Sequence, residues 1–191
     1  IVHVKEYRNH VSPDDLIVNF RQELYKLYVP VNWNLNYYDL GDILPGEKIE
    51  DTYFALQTLT AELIKKNCIP VIIGGSMDLL YAISIGYEAT EQLINLCAID
   101  ERINLGKPDE PLKSNAYLSS LLLRRPCFLF NHATLGIQPN INPPDELVLY
   151  EKLFFDLIKL GALSHDFRIA EPHLRNADIV GMNLDALKTS E

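Results

Sequence analysis

The feature that most constrains this chain is a set of short apolar runs, each breaking into polar residues at its carboxyl end. Ile69-Pro70-Val71-Ile72-Ile73 meets Gly74-Gly75-Ser76, and Leu96-Cys97-Ala98-Ile99 meets Asp100. Cys127-Phe128-Leu129-Phe130 meets Asn131-His132, and Ala177-Asp178-Ile179-Val180-Gly181-Met182 meets Asn183-Leu184-Asp185. Short, β-branched and uninterrupted, such runs are how strands covered on both faces read. Between them lie stretches with helical spacing. Ser12 and Pro13 suit a cap and first helical position ahead of Leu16, Phe20, Leu24, Leu27 and Tyr28. Further helices are expected over 49–66, 77–87, 114–125 and 147–160, the last stopped by Gly161. Val31 to Glu47 is polar, aromatic and turn-rich. Apolar strands alternating with amphipathic helices predict an α/β fold with a mostly parallel sheet.

Length and composition fit one domain. The 191 residues can bury a core without disulfide or metal staples, and 48% are apolar. No linker or repeat divides the chain. A single domain over 1–191 is expected, with an N-terminal arm and helices in 1–66 and the sheet core in 67–191. The net charge of −9 argues against nucleic acid and anionic membrane surfaces as partners. No apolar run reaches the ~18 residues of a membrane span. Three cysteines, Cys68, Cys97 and Cys127, form no CxxC pair and sit in apolar stretches, so a reducing, cytoplasmic setting is expected.

In open parallel sheets, ligands bind beyond the carboxyl ends of the strands. The polar clusters named above are therefore the candidate site. At these clusters the chain resembles the arginase (ureohydrolase) superfamily, its formimidoylglutamase-like branch above all. Val71-Ile72-Ile73-Gly74-Gly75-Ser76-Met77 resembles that family's strand, glycine pair and metal-binding His. Ala98-Ile99-Asp100-Glu101-Arg102-Ile103-Asn104 resembles its Asp-x-His-x-Asp motif, and the segment from Ala177 to Ala186 its strand ending in Asp-x-Asp. Leu135-Gly136-Ile137-Gln138 resembles its middle strand. The resemblance implies a three-layer α/β/α sandwich and a hydrolase of linear amidines. In that chemistry a hydroxide bridging two manganese ions attacks a C–N bond, and four aspartates and two histidines hold the metals.

Carried over position by position, the ligand set is depleted. The first His falls on Met77, the second on Arg102, and two of the aspartates on Asn104 and Asn183. Only Asp100 and Asp185 keep ligand chemistry, as vestigial metal positions. A thioether is too soft for manganese, and a guanidinium has no lone pair to donate. No cofactor is therefore expected, and the reaction is expected to be lost. Arg102 is expected to project between Asp100 and Asp185 as a built-in counter-ion. Family domains also carry strands after the Asp-x-Asp segment, whereas Glu191 lies six residues past Asp185. A truncated or shortened chain that associates as a homo-oligomer or with a partner protein is expected.

Two other readings compete. One is an active metal-dependent C–N hydrolase with a rebuilt site drawing on Asp100, Asp185, Asp78 and His132. The other is a nucleotide- or phosphate-binding domain using Gly74-Gly75, although the P-loop lysine is missing. The plainer expectations are a tight turn at Gly74-Gly75 capped by Ser76, and a first-turn helix carboxylate at Asp78. His132 is expected to cap or face solvent, and His3, His10, His165 and His173 to lie on the surface. Trp33, Tyr37 and Tyr38 are expected to pack as core or cover.

Overall fold

The computed structural model describes residues 1–6, 8, 14–28, 30, 32–33, 35–107, 112–114 and 116–186, with backbone alone at 14–17. The expected cap at Ser12 and Pro13, and His10, lie outside the described residues. The elements follow in the order β1 (Val2–Val4), α1 (Asp14–Leu24), β2 (Asp42–Ile43), α2 (Ile49–Lys65), β3 (Ile72–Ile73) and α3 (Leu79–Tyr87). After these come β4 (Ile94–Ile99), α4 (Leu118–Leu123), β5 (Leu129–Ile137) and α5 (Pro144–Lys152). The last are β6 (Asp156–Lys159), α6 (Leu160–His165), α7 (Glu171–Arg175) and β7 (Ile179–Met182).

Every pairing between these strands is parallel, as the apolar runs predicted. The strands form two sheets, ordered β2-β1-β3 and β6-β5-β4-β7. In the larger sheet, Leu96 and Ala98 of β4 and Ile179 of β7 face a core shared with Leu80, Tyr117, Leu118, Leu121 and Tyr150. Alternation turns Cys97, Ala133 and Leu135 to the opposite face, where they meet Leu163 of α6. Val4, Tyr53, Leu56, Leu79 and Ala82 form the core of the smaller sheet. Helix α3 serves both cores, through Leu80 in one and Leu79 and Ala82 in the other. It approaches α2 closely at Gly86, where an added Cβ would lie 2.7 Å from Thr60 Cβ and 2.9 Å from the Gln57 carbonyl oxygen.

Several expectations need correction. Residues 153–160 are not helical throughout: α5 ends at Lys152, and Asp156–Lys159 is a strand of the larger sheet. Phe154 takes a φ of 59°, which breaks the helix there. β5 runs on to Ile137, so Asn131 and His132 sit inside a strand rather than beyond its end. Val2–Val4 and Asp42–Ile43 are strands where an arm and a loop were expected. Both are too short to carry a periodic signal. His3 is buried rather than on the surface. Trp33, Tyr37 and Tyr38 are more than half exposed and cover no core. Among the described residues, no helix is long and apolar enough to cross a membrane.

Candidate functional site

The polar ends of β4 and β7 come together as expected. Asp100 follows β4 directly and is wholly buried. Its backbone N–H donates to the Leu135 carbonyl, holding the residue against β5. A buried carboxylate must be paired or hydrogen-bonded, and Asp100 has three N–H donors. The backbone N–H of Arg102 donates to Oδ1 at 3.0 Å. The side-chain amides of Asn104 and Asn183 donate to Oδ2 at 2.8 and 3.2 Å. Asn183 in turn accepts the Asp185 backbone N–H on Oδ1 at 3.1 Å. Asp185 itself is exposed in a turn of 3-10 helix after β7.

Asn104 takes a φ of 56°, a left-handed conformation that Asn tolerates better than most residues. Its carbonyl accepts the N–H groups of Tyr117 and Leu118 at the start of α4. One residue thus turns the chain after β4, anchors α4 and neutralises part of the Asp100 charge. The neighbouring Ile103 N–H donates to Asn142 Oδ1 at 3.0 Å, fixing the loop to the segment that follows β5.

Arg102 departs from its expected role. Its Nη1 donates to the Ile141 carbonyl at 3.0 Å, its Nε lies 3.8 Å from Glu101, and the side chain is 49% exposed. The guanidinium lies at the rim and contacts neither Asp100 nor Asp185; the Asn amides take the place expected for it. Met77 is half-buried against the core of the larger sheet.

The remaining candidates occupy separate networks. Asp78 is wholly buried and is no mere first-turn carboxylate. Arg8 Nη2 donates to its Oδ2 at 2.6 Å, Tyr53 also donates to Oδ2, and Ser76 Oγ donates to Oδ1 at 2.7 Å. Arg8 Nε donates to the buried Glu6 at 2.7 Å as well. Burial opposes the Arg8 charge, yet its hydrogen bonds to Glu6 and Asp78 hold the guanidinium above its ordinary range. Ser76 is therefore committed to this network instead of capping α3. Nothing in the sequence pattern pointed to Arg8, since Asp78 and Tyr53, which it joins to the nearby Glu6, are remote in the chain.

His132 is also wholly buried. Its Nδ1 lies 2.7 Å from the Tyr150 hydroxyl and its Nε2 3.1 Å from that of Tyr117. Burial lowers its pKa from 6.5 to about 3, so the ring is neutral. Burial likewise pushes the Cys97 thiol up to about 11, which leaves it unreactive. No hydrogen bond or ion pair among the described residues joins any two of Asp78, Asp100, His132 and Asp185. Nor, among the described residues, do three or more His, Cys, Asp or Glu side chains converge as a metal site would require. Gly74, with φ +93°, sits where an added Cβ would lie 2.7 Å from the Val4 carbonyl oxygen. Its missing side chain lets the turn pack against β1.

A manganese-bound formiminoglutamase variant from Trypanosoma cruzi superposes with a TM-score of 0.82 at 16% identity, over 98% of this chain and 70% of that one. This is an arginase superfamily fold. Formimidoylglutamase from Bacillus subtilis has a TM-score of 0.79 at 16% identity, over 98% of this chain and 65% of its own. Agmatine ureohydrolase of Thermoplasma volcanium has 0.65 at 14%, over 95% and 64%. The chain thus spans about two thirds of the length of these arginase-like structures. No protein-family description and no curated protein matches the sequence.

Proposed function

We propose that this chain is a metal-free, catalytically silent relative of the formiminoglutamases, serving as a binding or assembly protein in the cytoplasm. The observation that carries the reading is the state of Asp100. An ion at this position would need the carboxylate lone pairs that Arg102, Asn104 and Asn183 now engage with N–H groups. Amide N–H groups pointing at a metal position repel a cation rather than hold it. Met77 and the displaced Arg102 supply no ligand in compensation. The residues present therefore do not fit a binuclear manganese centre. Three cysteines with free thiols agree with a reducing compartment. Association with a second copy or another protein belongs to the same reading, as does a single domain over the whole chain.

Calorimetric titration of the purified chain with manganese tests it. No binding tighter than about 10 µM is expected. Release of formamide from formiminoglutamate, or of urea from agmatine or arginine, is expected to stay at the uncatalysed rate with manganese present. Tight binding, or turnover that purifies with the protein, would overturn the reading and restore a hydrolase with a rebuilt site.

A further inference from the structure

The larger sheet has a second polar concentration at its opposite, amino-terminal end. Asn95 and Asn131 are direct cross-strand partners on β4 and β5 and project from the same face. Asp156 opens β6 opposite Ala133, on that face too. Asn and Asp are poor strand residues, and three of them side by side conflict with an otherwise apolar surface of Cys97, Ala133 and Leu135. Conflicts of this kind gather at functional sites. Helix α7 stands over them with Pro172 and His173, enclosing a cavity of about 170 Å³.

The polar atoms left over are acceptors. Asn131 Nδ2 donates to Asp156 Oδ2 at 3.0 Å, and Asn95 Nδ2 to Asp178 Oδ2 at 3.3 Å. His173 Nδ1 lies 3.6 Å from Asp156 Oδ2, beyond hydrogen-bond reach. Asp156 Oδ1 and the Oδ1 atoms of Asn95 and Asn131 accept no hydrogen bond among the described residues. One carboxylate and two amide oxygens make three acceptors with one negative charge, which matches the three N–H donors of a primary ammonium. Ala133 and Pro172 complete the wall with apolar surface suited to a short alkyl tail.

We propose that this cavity binds a small primary alkylammonium, its head group on Asp156, Asn95 and Asn131 and its tail against Ala133 and Pro172. The site is remote from Asp100, so it stands or falls independently of the metal-free reading. The test is a titration of the isotope-labelled chain with n-butylammonium chloride, followed by NMR at constant ionic strength. Saturable shifts confined to the amides of Asn95, Asn131 and Asn176 are expected, with a midpoint of about 1 mM. n-Butanol and tetramethylammonium, lacking the charge or the N–H donors, are expected to leave those amides unmoved. Asp156→Asn is expected to weaken binding by about tenfold or more. His173→Lys, which puts an ammonium of the chain's own at the mouth, is expected to block it. Should Asp156→Asn fail to fold, the lysine variant decides alone. Unsaturable shifts, equal response to butanol, tighter binding of calcium chloride, or undiminished binding by the folded variants would each overturn the proposal.

Discussion

At the scale of single residues, Asp100 and His132 show two ways of keeping a polar group inside. Asp100 stays within three N–H donors, two of them from asparagines. Asn104→Asp tests that arrangement cleanly, because aspartate tolerates the left-handed backbone at 104 nearly as well. It places a second carboxylate against a buried one, and a loss of about 3 kcal/mol at pH 7 is expected in urea denaturation. The loss should shrink toward pH 5, as one of the pair takes up a proton. His132 stays inside by remaining neutral. Its folded pKa of about 3 lies below the ordinary 6.5, so the unfolded chain binds the extra proton between those values. Its contribution is complete above pH 6.5 and declines as pH falls through that window, by about 1.4 kcal/mol per unit. Stability measured by denaturant between pH 7 and 4 is expected to fall with that added slope, and His132→Gln to flatten it. The sequence placed Asp100 correctly because a carboxylate directly after an apolar run can hardly lie elsewhere. It misplaced His132 because the partners that let a histidine sit mid-strand, Tyr117 and Tyr150, are 15 and 18 residues away.

At the scale of elements, what the sequence showed and what it hid divide by length and by partner. β4 and α2 were legible because several residues repeat one pattern. β1 and β2 have three and two residues, and β6 opens on a polar aspartate, so none carried a signal. The expected counter-ion failed for a related reason. The family resemblance implied Arg102 beside Asp100, but the left-handed turn at Asn104 sends the chain inward two residues later and leaves Arg102 at the rim. The contact between α2 and α3 carries the next prediction. Alanine is the better helix former at Gly86 by about 1 kcal/mol, yet its Cβ would press on the Gln57 carbonyl, which cannot swing away as a side chain could. The clash should win, and Gly86→Ala is expected to lower stability by about 1–3 kcal/mol, read as a fall in melting temperature. Arg8 ties the turn after β3 to the segment after β1 through Glu6 and Asp78. Removing it as Arg8→Met strands two buried carboxylates, and a loss of about 3–5 kcal/mol is expected. A smaller loss for Asp78→Asn, by the same denaturation, would locate the cost in the uncompensated charges.

At the scale of the whole molecule, the proposed metal-free state can rest either in the fold or in the ligand set. A TM-score of 0.82 against a manganese-bound formiminoglutamase variant says that the backbone framework is kept. On the proposed reading the depletion then lies in four side chains: Met77, Arg102, Asn104 and Asn183. Met77→His, Arg102→His, Asn104→Asp and Asn183→Asp together rebuild a six-ligand set with Asp100 and Asp185. Without metal this variant should be less stable than the parent, since three carboxylates and Asp100 would crowd one strand end. Manganese should reverse the order, because a ligand bound only by the native state stabilises it by about 2.7 kcal/mol at a hundred times its dissociation constant. For a chain of this size that is a rise of about 5–10 °C in melting temperature. The parent chain, measured beside it, is expected to show none. A variant that folds yet gains nothing from manganese would mean that the loops carrying these positions, Asn104 and its left-handed turn foremost, have moved too far for the ligands to meet. Loss of metal binding would then rest in the backbone of those loops, beyond the reach of side-chain repair.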